Sequence, residues 1–407
     1  MNALEQKLGI VGPERPLPRR AAGDYAAKAL TQSSSDRVPT ASAQAGREGS
    51  IARSHSDDIG PKVLSARDFL SNFKPVETIV DGLPIPRGGL TSITGPTGHG
   101  KTTISVALEI ALVRGDQFAA RAVTKGNVLV LAGENPDDWA MHLSATLQES
   151  GLTQEDLVDD RGRDSLLVVP RVFGLAGGVA AIRAMLDEVG GSLVAVIVDT
   201  SAAFYEGDDE NCNTTMRTHA ARLRDLCRLP GNPAVIVLCH PTKGATRENL
   251  LPRGGGAFLA EVDANLTTWK DEDGVITLSH AGKIRGAHFD PLRFVLQPVQ
   301  LRGVLDSRGN PISSVVAKHL PEERAEQLVT TALAEENRVL LAMLQLPDAS
   351  VAELARQAGF VSNANAPQKS TVLRLLKKLE AQKLVAQDRK ATWQLALAGR
   401  KVARELQ

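Results

Sequence analysis

The sequence predicts an α/β protein in which a mainly parallel sheet carries helices on both faces and a small helical domain follows. Short, almost wholly apolar runs alternate with helix-like segments between about residues 90 and 240. Strands that are apolar on both sides are expected where helices cover both faces of a sheet. From residue 335 the pattern becomes helical and ends in two short strand-like runs, which indicates a separate domain.

Composition divides the chain into four parts. Residues 1–60 are rich in Ala, Ser, Gly, Pro and Arg without sustained periodicity, which predicts a disordered tail. We place a core at 61–300, a transition segment at 301–334 and the second domain at 335–407. No apolar run reaches the ~18 residues of a membrane helix. The formal net charge is zero, and the three cysteines fall in no metal-binding spacing. We therefore expect a cytoplasmic protein with no membrane partner.

Strand and helix patterns alternate along the core. Strands are predicted at 90–94, 127–131, 166–169, 193–198 and 234–239, and helices at 65–70, 104–113, from 135 onward, at 179–189 and at 214–229. Residues 271–274 join predicted strands 265–269 and 275–278 into a hairpin, and 294–296 adds one more strand. Strands that alternate with helices indicate a mainly parallel sheet.

The first strand leads into a glycine-rich turn with a phosphate-binding spacing. The turn consists of Gly95, Pro96, Thr97, Gly98, His99, Gly100, Lys101, Thr102 and Thr103. Glycines let successive backbone N–H groups point at phosphate oxygens, at the positive end of the following helix. In this motif the lysine reaches the outer phosphates and the hydroxyl after it binds Mg²⁺. A plain turn before a surface helix is the weaker alternative, because strand, turn and helix are all in register. The sequence predicts a nucleotide-binding protein.

Three polar residues close the strands that follow. Glu134 comes after the strand at 127–131, Asp199 after 193–198 and His240 after 234–239. In open α/β sheets, ligands bind beyond the carboxyl ends of the strands. An acid in the position of Asp199 can hold Mg²⁺ beside Thr102, and Glu134 can take a proton from attacking water. A neutral His240 can hydrogen-bond a γ-phosphate. Taken singly, each has a structural alternative: a cap, a helix-start charge or a satisfied loop histidine.

Together these motifs resemble the RecA-like ATPases, in the branch that contains the plasmid replication helicase RepA. The similarity covers about residues 65–300 and includes the stretches 199–205, 240–244 and 253–257. It implies ATP and Mg²⁺ as cofactors, Lys101 and Thr102 on the phosphates and metal, and Asp199 as the Walker B acid. It also implies Glu134 as the base and His240 as the γ-phosphate sensor. Family members form rings, so a homo-oligomer, a hexamer, is expected.

The resemblance also implies loops that contact single-stranded DNA in the channel of the ring, at about 204–215 and 243–253. The second loop carries Lys243, Arg247 and Arg253, which suits contact with a phosphate backbone. The first is acidic, which fits such contact poorly. Lys283 and Arg285 resemble the Lys-x-Arg pair that reaches a neighbour's nucleotide in bacterial hexameric helicases, and strand alternation puts both on one face. A solvated strand end is the alternative.

The second domain resembles a winged helix: three helical patterns, then strand, turn and strand. A capping box begins at Ser350, and apolar positions line one face of the helix predicted at 370–383. From residue 350 on, eleven lysines and arginines oppose four acids. We expect duplex DNA to contact Lys369, Arg374, Lys377, Lys378, Arg389 and Lys390. Protein docking is the alternative use of such a domain.

The sequence therefore predicts an ATP-dependent DNA helicase or translocase for replication of a plasmid, phage or mobile element, with a primase or initiator protein as a further partner. The alternative is an ATP-switched DNA-binding or regulatory protein that does not unwind DNA. A signalling ATPase similar to the circadian clock ring proteins is a third hypothesis, against which the basic C-terminal domain argues.

Overall fold

The computed structural model describes residues 63–188, 191–210, 212–388 and 391–406. The predicted tail at 1–60 lies outside them. A first compact unit ends at Asn72, and its described part holds helix α1 (Ala66–Ser71), where the Ser65 hydroxyl accepts from the Asp68 N–H. The second unit begins at Phe73 and contains all the elements below.

One nine-stranded sheet forms the centre of the second unit. Its strands are β1 (Leu90–Thr94), β2 (Asn127–Ala132), β3 (Leu166–Val169), β4 (Leu193–Asp199), β5 (Ala234–Cys239), β6 (Ala264–Lys270), β7 (Val275–Ile284), β8 (Leu292–Leu305) and β9 (Pro311–Leu320). Their order in the sheet is β3-β2-β4-β5-β1-β6-β7-β8-β9. Strands β1 to β6 pair in parallel, and β7, β8 and β9 are added antiparallel. The predicted mainly parallel α/β sheet is confirmed, and it is consistent with a RecA-like fold.

Helices cover both faces of the parallel part. They are α2 (Lys101–Arg114), α3 (Pro136–Ser150), α4 (Leu175–Glu188), α5 (Asn213–Asp225) and α6 (Gly255–Glu261). Strand β4 shows why its sequence is apolar throughout: Ile197 belongs to the buried cluster that contains Ile104 of α2 on one face, and Val198 belongs to the cluster that contains Leu223 of α5 on the other. Two apolar layers result, one on each side of the sheet, and they hold the carboxyl ends of the strands in register.

Residues 301–334 differ from the predicted transition segment. Strand β8 continues to Leu305, β9 pairs with it, and the next helix begins at Glu322. In the turn, the Asp306 carboxylate accepts from the N–H groups of Arg308 and Asn310. Val316 of β9 packs against Ala145 of α3, so its burial depends on a helix distant in sequence. The short, partly polar alternation of β9 did not reveal this contact.

The C-terminal region forms a compact group of helices and a hairpin. It comprises α7 (Glu322–Gln345), α8 (Val351–Gln357), α9 (Lys369–Ala381), β10 (Val385–Gln387), β11 (Trp393–Leu395) and α10 (Leu397–Glu405). Ser350 and Glu353 form the capping box of α8. The buried face of α9 includes Leu375 and Leu379, which pack with Val339 of α7 and Trp393 of β11. Among the described residues, no helix has the length and apolarity needed to cross a membrane.

Candidate nucleotide-binding site

Four adjacent strands bring the predicted site residues to one edge of the sheet. Strands β2, β4, β5 and β1 lie side by side. Because they are parallel, Glu134, Asp199, His240 and the glycine-rich loop all follow the same edge. Backbone hydrogen bonds link the neighbouring strand ends: the N–H of Glu134 donates to the Asp199 carbonyl over 3.1 Å, and the N–H of Gly95 donates to the Cys239 carbonyl over 3.1 Å. Glu134, Asp199, His240 and most of the loop from Thr97 to Thr103 line a cavity of about 230 Å³.

The loop owes its shape to positions that exclude a side chain. Gly100 has φ +78°, and a Cβ there would lie 2.5 Å from the Ile276 methyl. At Gly95 a Cβ would lie 2.2 Å from the Thr268 hydroxyl. His99 adds a polar tie, because its Nδ1 accepts from the Lys270 N–H over 2.9 Å. Helix α2 starts directly after Gly100, and its first N–H groups have no side-chain cap. Such an end binds anions.

Lys101 is almost fully buried at the start of this helix. Its Nζ donates to the carbonyl of Gly95 over 2.8 Å and to that of Pro96 over 3.2 Å. Burial lowers the pKa of Lys101, while the carboxylates of Asp199 and Glu134 oppose that shift. An amine held by the loop's own carbonyls is positioned to exchange them for phosphate oxygens.

Thr102 and Asp199 form a pair of hard oxygen donors. The Thr102 hydroxyl donates to the Asp199 carboxylate over 2.9 Å. Burial raises the pKa of Asp199 to about 6, although the hydrogen bond from Thr102 opposes that rise. A hydroxyl beside a buried carboxylate matches the oxygen ligands that Mg²⁺ prefers. These residues therefore fit a divalent cation.

Glu134 lies within a short polar chain. The Thr200 hydroxyl donates to its carboxylate over 2.7 Å, and His240 Nε2 lies 3.7 Å from the same oxygen. Burial lowers the pKa of His240, and the Lys101 cation lowers it further. A neutral imidazole can therefore face Glu134 at neutral pH. Sequence reasoning did not single out Thr200, although it directly follows Asp199.

A buried carboxyl group in α2 was also missed. Glu109 has no exposed surface; its oxygens accept from the Ser105 hydroxyl over 3.1 Å and from Trp139 Nε1 over 3.0 Å. Burial raises its pKa to about 8 against the effect of both hydrogen bonds. Trp139 belongs to α3, which begins directly after Glu134 and Asn135. The sequence signal was a single acid within the otherwise apolar run 106–113.

Lys283 and Arg285 lie at the other end of the parallel strands, where β1 and β6 begin. Ile284 pairs with Ala264, which pairs with Thr91 near the start of β1. The loop begins beyond the end of β1, roughly 13 Å further along the strand. Arg285 is 65% exposed and lies 2.8 Å from the Asp263 carboxylate, while Lys283 Nζ donates to the Ala260 carbonyl. Arg285 borders a larger cavity, of about 530 Å³.

The two predicted DNA loops meet through an ion pair. Arg253, at the end of the second loop, lies 3.0 Å from Glu210 in the first. Lys243 and Arg247 are exposed. The acidic composition of the first loop is thus partly explained, because one of its carboxylates pairs with a cation of the second.

The basic face of α9 differs from the sequence expectation. Arg374 lies 3.4 Å from Asp273 and 3.8 Å from Glu335, and Lys378 lies 2.5 Å from Asp273 and 3.0 Å from Glu336. Both predicted DNA contacts therefore already have carboxylate partners in the chain. Lys369 and Lys377 are exposed, and Arg389 and Lys390 lie outside the described residues. Charge counting could not reveal this, because Asp273 is distant in sequence.

Comparison with known proteins supports a nucleotide-driven core. Residues 56–246, just under half of the chain, match the family model described as an AAA domain. The matched segment contains the glycine-rich loop, Glu134, Asp199 and His240. No curated protein shows significant similarity. One solved structure, described as an ATPase domain, aligns at 13% identity and a TM-score of 0.39, over 51% of this chain and 81% of that one. That likeness is too distant to bear on function.

Proposed function

We propose that the protein is an ATP-driven DNA motor that hydrolyses ATP between the subunits of a hexameric ring and moves on single-stranded DNA as a helicase. The observation that carries the proposal is the convergence of Lys101, Thr102, Glu134, Asp199 and His240 around one cavity. These side chains cover phosphate binding, metal binding, water activation and phosphate sensing, as nucleotide hydrolysis requires.

Each side chain has a task that follows from its surroundings. Lys101 exchanges two loop carbonyls for phosphate oxygens, together with the N–H groups at the start of α2. Thr102 and Asp199 would hold Mg²⁺, which neutralises phosphate charge when bound. Glu134 accepts a proton from attacking water, and the Thr200 hydroxyl orients its carboxylate. The neutral His240 donates a hydrogen bond to the γ-phosphate and loses that partner after hydrolysis.

A second copy of the chain supplies the remaining positive charge. Arg285 lies at the edge of the sheet away from its own phosphate loop and is mostly exposed. It is therefore suited to reach the nucleotide of a neighbour, with Lys283 beside it. A cation inserted in trans stabilises charge on the transferred phosphoryl group. This supports hydrolysis at subunit interfaces.

DNA would be contacted at two surfaces. The exposed Lys243 and Arg247 would follow the backbone of single-stranded DNA in the ring. The C-terminal region, which we propose to be a winged helix, would bind duplex DNA through Lys369 and Lys377 of α9. Such a protein suits replication of a plasmid, phage or mobile element, with a primase or initiator protein as partner.

The second candidate is an ATP-switched DNA-binding regulator that does not unwind DNA. It is favoured by the ion pair between Arg253 and Glu210, which removes one cation from the proposed single-stranded DNA path. In that case nucleotide would control assembly, and the C-terminal region would choose the duplex site.

Steady-state ATPase activity separates the two. Wild type, Arg285→Ala and Glu134→Ala are assayed alone, and the two variants are also mixed, without DNA and with single-stranded or duplex DNA. A motor is stimulated by single-stranded DNA, each variant alone is inactive, and mixing restores part of the activity. The matched control is Arg302→Ala, an exposed arginine at the far end of β8. Full activity of Arg285→Ala without DNA stimulation would overturn the motor and the role of Arg285.

A further inference from the structure

The turn between β6 and β7 joins the ATPase core to the C-terminal region through one carboxylate. Asp273 lies in this turn and contacts both Arg374 and Lys378 of α9. Phosphate groups of a duplex would need the same two cations. We infer that Asp273 and duplex DNA compete for Arg374 and Lys378, so that DNA binding at α9 releases the turn from the C-terminal region. This inference rests on the proposed binding of duplex DNA.

The contact is more than a surface ion pair. Lys378 is only 18% exposed, and it also contacts Glu336, whose side chain is 5% exposed. Glu336 accepts a further hydrogen bond from Gln382 over 3.0 Å. Burial lowers the pKa of Lys378, but the hydrogen bonds to Asp273 and Glu336 raise it overall. Partial burial of Lys378 reduces screening by water and salt, so its ion pairs hold more firmly than the pair of Asp273 with Arg374, which is 52% exposed.

Charge balance identifies Asp273 as the group that a polyanion would replace. The cluster contains two cations, Arg374 and Lys378, and three carboxylates. Glu335 and Glu336 belong to α7, in the same region as α9, whereas Asp273 belongs to the core. Replacing Asp273 with phosphate keeps both cations neutralised and leaves α7 and α9 in place. The exposed Lys369 and Lys377 extend the basic face of α9 along a duplex.

The same hairpin also touches the phosphate-binding loop. The Lys270 N–H donates to His99, and the Trp269 ring packs edge-on against the His99 ring at 5.1 Å. Ile276, on the other strand, fills the space beside Gly100. Asp273 thus lies three residues from Lys270 and from Ile276 and four residues from Trp269, so DNA binding at α9 affects the phosphate-binding loop.

The Asp271 carboxylate makes the turn rigid enough to transmit the change, because it accepts from the N–H groups of Asp273 and Val275. Binding of duplex at α9 and of nucleotide at the loop is therefore coupled, and the coupling is reciprocal.

The test uses the full chain, a fluorescent duplex of about 20 base pairs and a non-hydrolysable ATP analogue. Asp273→Asn removes the competing charge, and we expect it to bind the duplex about fivefold more tightly than wild type. The analogue should change duplex affinity in wild type and have little effect in Asp273→Asn. The matched control is Glu272→Gln, which removes a neighbouring exposed carboxylate and should behave as wild type.

Exchange of backbone amide hydrogens tests the same contact without measuring a DNA affinity. Peptides covering 268–278 should exchange faster in Asp273→Asn than in Glu272→Gln, and wild type should gain this faster exchange on adding duplex. If wild type binds duplex but Asp273→Asn binds it no more tightly, the inference is overturned while the proposed DNA binding stands. If neither binds duplex, the proposed DNA binding fails, and the competition fails with it.

Discussion

Glu109 offers the most direct quantitative test of how the site is built. Its carboxyl group is fully buried between Ser105 and Trp139, and burial raises its pKa from 4.5 to about 8. The folded state therefore holds a proton that the unfolded chain has lost at neutral pH. Where the folded state binds more protons, stability falls as pH rises. The loss of folding stability begins near pH 4.5 and ends near pH 8. At pH 7 this loss of unfolding free energy amounts to about 3 kcal/mol.

Replacement of Glu109 with Gln should remove this pH dependence without losing the contacts. The Gln oxygen can accept from Trp139 Nε1, and its amide can donate to the Ser105 hydroxyl, whose single proton can then point to the Thr102 carbonyl 3.0 Å away. We expect Glu109→Gln to match wild type at about pH 4, below the onset of the loss, and to be about 3 kcal/mol more stable at about pH 7. Urea unfolding from about pH 4 to about pH 8.5 measures the difference.

The control is Glu109→Leu, which also lacks a titratable group but leaves the Trp139 N–H without its partner. Its stability profile should run parallel to that of Glu109→Gln and lie about 1–3 kcal/mol below it at every pH. Parallel profiles for wild type and Glu109→Gln would show that Glu109 is ionised in the folded state. In that case the reasoning from burial would be wrong.

Three further predictions concern the nucleotide site. Because the pKa of Asp199 is raised to about 6 and metal binding needs the carboxylate, the Mg²⁺ concentration that gives half-maximal ATPase activity should rise as pH drops below about 6; a half-maximal concentration unchanged down to about pH 5 would contradict this. Thr200→Ala removes the hydrogen bond to Glu134 and should lower kcat about tenfold with little change in ATP affinity, while Thr200→Ser restores it; an unchanged kcat would remove Thr200 from the site. Gly98 and Gly100 both have φ +78°, but only at Gly100 would a Cβ meet Ile276. Calorimetry should therefore show that Gly100→Ala weakens binding of an ATP analogue far more than Gly98→Ala does. Equal losses of affinity would mean that backbone strain alone matters.

Local sequence patterns predicted most strands of the parallel sheet and also the carboxyl ends of these strands as the place where the site lies. The run 193–198 is apolar throughout because β4 packs on both faces, and Asp199 is polar because the strand ends there. Strand direction then brings Glu134, Asp199 and His240 to one edge, since parallel strands end on the same side. Their roles in catalysis remain predictions.

Partners that are distant in sequence account for what local patterns missed. Strand β9 is held by β8 and by Ala145 of α3, so its short alternation gave no clear signal. The cations of α9 indicated a free basic face, yet Arg374 and Lys378 contact Asp273, about a hundred residues earlier in the chain. The periodicity of a segment reports which of its faces is buried. It does not report which charge lies opposite, because that depends on how separate elements pack.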